Sequence, residues 1–242
     1  MIPQKIAKEI KDIVRALKAE FENDFLALIL YGSWAKGMAR EDSDIDLLAI
    51  FERVDRDMSK RISEISSRLE RQYERTITLL PVTQDEFKVE RLPLFTAVKR
   101  EGIIIFGDVD FKENLEPPET KYKDFFKKSL EFESKKVEIA ERMLQNGSLS
   151  GVLALCFMAS KHLLQAGLAI KGVGFSSKVK IFLPLIEEHF NSEVANAFKR
   201  LFSLYIKAEY QLQLLDKDNA ILAVEDANRI NNVTRGIRNV LR

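Results

Sequence analysis

The chain has 242 residues, of which 46% are hydrophobic and 31% charged, and this composition excludes an intrinsically disordered protein. Its 38 basic and 37 acidic residues leave a net charge of +1, which excludes a general electrostatic attraction to nucleic acid or anionic membranes. The one cysteine, Cys156, excludes an intrachain disulfide and the usual cysteine zinc sites. Residues 1–20 are charged and periodic rather than signal-like, and Lys161 and His162 interrupt the apolar stretch 151–170. We therefore expect a cytoplasmic protein without a membrane span.

The first predicted elements are a helix and two strands. Apolar residues recur at helical spacing over residues 3–22, which predicts an amphipathic helix. The apolar run from Phe25 to Tyr31 predicts a buried strand, and the run from Ile45 to Phe51 predicts a second one.

The loop between these strands combines groups that suit a phosphate. Gly32 has no Cβ, so a ligand can approach the backbone closely there. Ser33 offers a hydroxyl and a backbone N–H, and Lys36 adds a positive charge. Backbone donors in a tight turn together with a cation form a phosphate-binding cradle.

Two carboxylates stand at the start of the second strand. Asp44 and Asp46 are two residues apart, so a strand directs them to one face, about 6.6 Å apart at about 3.3 Å per residue. Two bare carboxylates at that separation repel by about 2.5 kcal/mol at an effective dielectric constant of about 20. The pair therefore requires a cation or a well-hydrated strand end, and Mg²⁺ is typically held by one or two carboxylates plus substrate phosphates. We expect both carboxylates to face the Gly32-Ser33 turn.

Helices and strands alternate over the next segment. Residues 57–73 predict a helix capped by Asp57 or Ser59. Residues 76–82 predict a third strand, in which Pro81 favours the edge of a sheet or the exit of the strand. Two short helices, 84–91 and 93–100, and a fourth strand, 103–106, follow.

The pattern of Gly32-Ser33, ten further residues and Asp44-Ile45-Asp46 resembles the signature of the DNA polymerase β-like nucleotidyltransferases, in particular the minimal nucleotidyltransferases. The resemblance covers the loop and both flanking strands, and the order of elements to about residue 108 is compatible with it. It implies a mixed sheet with helices in which Asp44 and Asp46 are catalytic and bind Mg²⁺ or Mn²⁺. It also implies that Gly32, Ser33 and Lys36 bind ATP or another nucleoside triphosphate.

The third strand departs from this family. The family usually carries a third metal-binding carboxylate on it, whereas this strand carries Thr76 and Thr78 and no acid. Asp85 and Glu86 follow only after the strand. The sequence leaves open whether any of these four residues substitutes for the missing carboxylate.

The rest of the chain predicts an all-α domain. Pro117-Pro118 marks a linker over residues 111–120 between a domain at 1–110 and a domain at 121–242. Pro184 is expected in the first turn of the third helix if that helix begins late, and Ser192 is expected to cap the fourth. Short loops between long helices favour an up-and-down bundle, and the whole chain is expected to be α+β. The five predicted helices are 122–145, 149–170, 179–190, 193–215 and 220–240.

This helical domain resembles the HEPN domains that are often fused to minimal nucleotidyltransferases. The resemblance rests on the apolar helix from Ala154 to Leu164 and the following Lys171-Gly172. Ribonuclease-active HEPN domains carry an arginine shortly before a histidine, and neither His162 nor His189 has an arginine at that spacing. We therefore predict a helical domain without ribonuclease activity that mediates docking and homodimer formation.

Two functions follow from these resemblances. The first is an enzyme that transfers a nucleoside monophosphate, AMP from ATP, to a hydroxyl of a protein, a small molecule or an RNA end. The alternative is a weak or inactive nucleotide-binding module whose helical domain mediates dimerisation or partner binding. Trp34 either stacks on a nucleotide base or packs against the loop, and His162 is either a general base or a residue at the edge of the bundle. Two basic groups are either solvated faces or contacts to phosphates: Lys171, Lys178 and Lys180, and Arg229, Arg235, Arg238 and Arg242.

Overall fold

The computed structural model describes residues 2–149, 151–174, 179–210 and 216–240, with side chains in the last helix described to residue 237. The chain divides into two compact units, Met1–Leu115 and Glu116–Arg242. Lys178, Arg242, the side chain of Arg238 and the predicted helix end at Leu215 lie outside the described residues.

The N-terminal unit is built on a mixed sheet of four strands in the order β3-β2-β1-β4. β1 pairs antiparallel with β2 and with β4, whereas β2 pairs parallel with β3. β3 is thus an edge strand, as Pro81 predicts. The elements of this unit are α1 (Gln4–Phe21), β1 (Phe25–Tyr31), α2 (Gly32–Ala35), β2 (Ile45–Phe51), α3 (Arg56–Tyr73), β3 (Ile77–Thr83), α4 (Gln84–Val89), α5 (Pro93–Glu101) and β4 (Ile103–Gly107).

Helices cover both faces of the sheet. Leu28 and Leu47 belong to a buried cluster formed with α1 and α3. Ile29 and Leu48, which point the other way, belong to a second buried cluster with α4 and α5. Burial on both faces explains why β1 and β2 are continuous apolar runs rather than alternating ones.

The strand directions bring several chain segments to one end of the sheet. Tyr31, the last residue of β1, pairs with Asp46 near the start of β2, and Asp46 pairs with Thr78 near the start of β3. Ile103, the first residue of β4, pairs with Leu30. The end of β1 and the starts of the other three strands therefore lie together, and we call this the loop end of the sheet.

The start of α3 differs from the prediction. Its N-cap is Asp55, whose extended backbone lets the carboxylate accept a hydrogen bond from the Met58 N–H at 2.8 Å. Asp57 lies inside the first turn, where a negative charge suits the helix dipole but is not a cap.

The second unit is helical, and the predicted α+β class of the chain is confirmed. α8 is its central helix and packs against α7, α10 and α11. By length and composition α8 could cross a membrane, but 67% of its most apolar window is buried inside the unit, as in the core helix of a soluble protein. The helices are α6 (Pro118–Lys121), α7 (Lys123–Gln145), α8 (Val152–Ile170), α9 (Val179–His189), α10 (Ser192–Tyr210) and α11 (Lys217–Val240).

Two predicted details of this unit are wrong. Pro184 lies in the interior of α9 rather than in its first turn, so the helix lacks the hydrogen bond that residue 184 would otherwise donate. Ser192 is the first residue of α10 rather than its cap. The capping side chain belongs to Asn191, whose Oδ1 accepts a hydrogen bond from the Val194 N–H at 2.8 Å.

Candidate active site

The carboxylate of Asp46 lies against the Gly32 turn. Gly32 has a φ of +72°, and a Cβ added to it would lie 2.2 Å from Asp46 Oδ2. Only glycine permits both this backbone conformation and this close approach. The prediction that both carboxylates face the turn is therefore confirmed for Asp46, and for Asp44 it stays a prediction.

Asp44 is exposed just before β2, whereas Asp46 is half-buried. Burial raises the pKa of the Asp46 carboxyl, a hydrogen bond from the Thr78 hydroxyl acts against this rise, and the negative charge of Asp44 adds to it. The net direction is upward, chiefly because burial disfavours the charged form of the carboxyl, and the nearby negative charge of Asp44 adds to this effect. The pair is thus a place where a cation relieves repulsion.

The phenol of Tyr31 shares this environment. Burial raises its pKa to about 12, and the charge of Asp46 contributes to the rise. Tyr31 is therefore a neutral hydroxyl beside the carboxylate at physiological pH. Sequence reasoning treated it only as the end of an apolar run, and its pairing with Asp46 depends on strand register, which local composition does not specify.

Thr78 occupies the place on β3 next to Asp46, and its side chain acts to lower the pKa of that carboxyl, against the rise that burial causes. Thr76 is exposed immediately before β3. Both threonines therefore lie at the loop end.

Asp85 and Glu86 lie at the opposite end of the sheet. β3 runs parallel to β2, and its last residue, Thr83, pairs with Phe51, about 16 Å along the strand from Asp46. Glu86 accepts hydrogen bonds from the N–H and the hydroxyl of Thr83 in a capping box. The strand direction thus removes these two acids as substitutes for a third carboxylate, and only Thr76 and Thr78 remain of the four candidates.

The loop between β1 and β2 begins with a helical turn, α2, rather than an open loop. The Ser33 carbonyl accepts a hydrogen bond from the Met38 N–H at 3.0 Å, which closes this turn. Lys36 is exposed and forms an ion pair with Glu101 at the end of α5. Sequence reasoning missed Glu101, because only the β1–β4 pairing brings it to the loop end.

The indole of Trp34 packs into the protein. It is buried in the cluster formed by α1 and α3, and its Nε1–H donates a hydrogen bond to the Ser43 carbonyl at 3.3 Å. Of the two roles considered for Trp34, this arrangement supports packing against the loop.

The donor atoms at the loop end fit a hard divalent cation. They are the oxygens of Asp44 and Asp46 with the Thr78 hydroxyl beside them, and Mg²⁺ prefers oxygen ligands. Among residues 2–149, 151–174, 179–210 and 216–240, no group of three or more histidines, cysteines or acids lies close enough to hold a metal alone. The remaining coordination positions would therefore be filled by water and by the phosphates of a bound nucleotide.

Three candidate residues of the helical unit, His162, Lys171 and Arg229, are engaged in contacts within that unit. His162 is half-buried, and its Nδ1 lies 3.0 Å from the Glu133 carboxylate. Lys171 donates a hydrogen bond to the His189 carbonyl at 2.6 Å, and Arg229 pairs with Glu193. Lys180 and Arg235 are exposed. These contacts favour structural roles for Lys171 and Arg229, and the lack of ribonuclease activity stays a prediction.

The family model described as "Nucleotidyltransferase domain" matches residues 8–106. The match contains the Gly32 turn, the Asp44–Asp46 pair and all four strands of the sheet except the last residue of β4. It confirms the predicted nucleotidyltransferase resemblance for the N-terminal unit. The resemblance of the helical unit to HEPN domains stays a prediction.

Individual proteins resemble the chain over different lengths. A stretch of 43 residues is 44% identical to "Putative protein adenylyltransferase MJ0604" of Methanocaldococcus jannaschii, covering 18% of the chain and 43% of that protein. The chain thus spans less than half the length of this curated relative. The crystal structure of spectinomycin adenyltransferase AAD(9) from Enterococcus faecialis, with ATP and spectinomycin, matches 94% of this chain and 98% of its own, with a TM-score of 0.54 and 14% identity. At that identity the likeness concerns the fold alone.

Proposed function

We propose that the chain is a metal-dependent nucleotidyltransferase that transfers AMP from ATP to a hydroxyl acceptor. One observation carries the proposal: the Asp46 carboxylate lies against the Gly32 turn and beside the charge of Asp44. A turn suited to phosphates and a carboxylate pair suited to a cation therefore meet at one end of the sheet. The match of residues 8–106 to the nucleotidyltransferase domain supports the same function.

Different residues of the loop end would bind the phosphates and the metal ion. Gly32 and Ser33 would hold the β- and γ-phosphates through the turn, and Lys36 would leave Glu101 to pair with them. Asp44 and Asp46 would hold Mg²⁺ or Mn²⁺, and a divalent ion bound there neutralises charge on the phosphate oxygens and activates the acceptor. No covalent intermediate with the protein is required, because positioning and charge neutralisation account for the rate.

The reaction follows from this placement. The acceptor oxygen would bond to the α-phosphorus, the bond from that phosphorus to the oxygen that bridges it to the β-phosphorus would break, pyrophosphate would leave, and the proton of the acceptor hydroxyl would pass to solvent. The names of the two similar proteins, a protein adenylyltransferase and a spectinomycin adenyltransferase, support ATP as the donor. They leave a protein hydroxyl and a small-molecule hydroxyl as the first acceptors to test, before an RNA end.

A nucleotide-binding module with weak or no activity is the second candidate. Thr78 stands beside Asp46 where an acid would complete a three-carboxylate site, and Lys36 is engaged with Glu101. The missing acid favours binding over turnover, and the ion pair favours weak activity because it occupies the ammonium expected to contact phosphate. In this case the helical unit would dock a partner or a second copy of the chain.

Calorimetry of ATP binding tests the site. Wild-type protein should bind ATP more tightly with Mg²⁺ or Mn²⁺ than with EDTA. The double variant Asp44→Asn/Asp46→Asn should lose this metal dependence while it stays folded, because the substitution removes the repulsion as well as the cation ligands.

The control variant is Asp85→Asn/Asp108→Asn, which removes the same charge at the opposite end of the sheet, where Asp85 follows the end of β3 and Asp108 follows the end of β4. It should retain the metal dependence of the wild type. Equal metal dependence in the wild type and the Asp44→Asn/Asp46→Asn variant would exclude this site.

A further inference from the structure

Arg75 is a buried arginine just before β3 that the proposed function does not use. Only 7% of its side chain is exposed, and 1% of the side chain of its partner Glu9. Its Nε donates a hydrogen bond to Glu9 Oε2 at 3.1 Å, and its Nη1 donates one to the Ser43 carbonyl at 2.7 Å. The guanidinium therefore connects α1 to the residue that precedes Asp44.

The Ser43 carbonyl is held from two sides. Besides the bond from Arg75, it accepts the hydrogen bond from Trp34 Nε1 at 3.3 Å, and the guanidinium carbon of Arg75 lies 6.0 Å from the centre of the Trp34 ring. On the other side of Asp44, the Ile45 N–H donates a hydrogen bond to the Thr76 carbonyl at 3.0 Å. Residues 75 and 76 thus fix the backbone immediately before and after Asp44.

We propose that Arg75 is a positioning residue that holds the Asp44–Asp46 segment in the geometry required to bind a metal–nucleotide complex. This inference rests on the proposed function, since it concerns the same carboxylate pair. A planar guanidinium can donate in two directions at once, whereas a lysine ammonium on a flexible stem does not reproduce this fork. Glu9 neutralises and orients the guanidinium, which leaves Nη1 directed at Ser43.

The chain offers a matched control for Arg75. Arg61 also connects α3 to a glutamate of α1, because its Nη1 bonds to Glu20 Oε1 at 3.0 Å. Its other ion-pair partner is Asp57 on its own helix, away from the loop end. The variants Arg75→Lys and Arg61→Lys therefore each alter an arginine that pairs with a glutamate of α1, but only Arg75 reaches Ser43.

The test is calorimetry of Mn²⁺ with the non-reactive nucleotide α,β-methylene ATP, accompanied by thermal unfolding of each variant. Arg75→Lys should bind about tenfold more weakly than the wild type, since loss of an outer partner of a metal site costs roughly 10- to 100-fold in affinity. Arg61→Lys should bind the Mn²⁺–nucleotide complex with the affinity of the wild type, even if it loses as much thermal stability as Arg75→Lys does. Trp34→Phe, which keeps the ring and removes one donor to Ser43, should weaken binding less than Arg75→Lys.

Equal affinities in Arg75→Lys and Arg61→Lys would overturn the inference. If the wild type binds no Mn²⁺–nucleotide at all, the proposed function fails, and amide hydrogen exchange of residues 43–46 then decides the role of Arg75. Faster exchange there in Arg75→Lys than in Arg61→Lys supports the anchoring role, and equal exchange overturns it. If Arg75→Lys does not fold, Trp34→Phe tests the inference instead. Unchanged nucleotide affinity and unchanged amide exchange in Trp34→Phe would contradict the claim that hydrogen bonds to the Ser43 carbonyl position the Asp44–Asp46 segment.

Discussion

A side chain at position 32 would enter the space of the Asp46 carboxylate. We expect Gly32→Ala to abolish measurable ATP binding, because the new Cβ would lie 2.2 Å from Oδ2 and the carboxylate would have to move. The positive φ adds a cost of about 1–2 kcal/mol for a residue with a Cβ. Calorimetry with Mg²⁺ and ATP, with thermal unfolding alongside, measures both effects.

Gly37→Ala is the control for this prediction. Gly37 also has a positive φ, +68°, but a Cβ there would meet nothing within 4 Å. Its substitution should therefore lower stability by a similar amount of backbone strain and leave most of the ATP affinity. Equal losses of affinity in the two variants would show that the contact with Asp46 does not matter.

The ion pair between Lys36 and Glu101 competes with phosphate for the same ammonium. Glu101→Gln should free Lys36 and tighten ATP binding about two- to fivefold, the range expected because an exposed ion pair contributes at most about 1 kcal/mol. Glu113→Gln is the control, since Glu113 pairs with the adjacent Arg100 and its loss changes the net charge equally. Tighter binding in both variants would indicate a general charge effect instead.

At the residue scale, the sequence predicted those site residues that lie close together along the chain. Gly32, Ser33, Asp44 and Asp46 lie within one strand–loop–strand segment, and the structure brings Gly32 and Asp46 together. Arg75 and Glu101 lie outside that segment, and they reach it only through the β2–β3 and β1–β4 pairings. No local pattern specifies these pairings, so these residues could not be found from the sequence.

At the element scale, strands buried on both faces were the easiest to predict. The boundaries of β1 and β2 match the apolar runs, because every residue of the two strands except Asp46 packs in one of the two cores. Helix starts were less predictable, since a cap depends on the backbone conformation of one residue. Asp55 and Asp57 are chemically the same, and only the extended backbone at Asp55 makes it the cap of α3.

The α7–α8 contact contains a buried carboxylate whose contribution depends on pH. Burial of Glu133 acts to raise its pKa, but hydrogen bonds from His162 and Lys136 outweigh burial and bring the pKa below its ordinary value of 4.5. Because the folded-state pKa is lowered, the stabilisation is present above about pH 4.5 and is lost as the pH falls through the folded-state pKa.

We therefore expect Glu133→Gln to destabilise the protein by about 1 kcal/mol near neutral pH, the usual contribution of a hydrogen bond. The difference from the wild type should shrink as the pH falls below 4.5. Urea unfolding at several pH values measures it. Glu131→Gln is the control, because Glu131 pairs with Lys135 on the exposed face of α7 and should contribute little at any pH. A Glu133→Gln difference that does not change with pH would contradict this account.

At the scale of the whole molecule, the apolar character of α8 is explained within its own unit. Within the described residues, α8 is covered by α7, α10 and α11 of the same unit. Sequence composition could not decide this, because it does not say which neighbours cover an apolar helix. The homodimer and the cytoplasmic location stay predictions.

Transfer of a labelled α-phosphate tests the proposed activity most directly. The protein is incubated with ATP labelled at the α- or the γ-phosphate, with Mg²⁺ or Mn²⁺, in the presence of a lysate and of candidate small-molecule acceptors. We predict that a product acquires the α-label but not the γ-label and that pyrophosphate is released. The Asp44→Asn/Asp46→Asn variant should give no α-labelled product and release no pyrophosphate. Transfer of the γ-label, or α-label transfer that is equal in the double variant, would contradict the account.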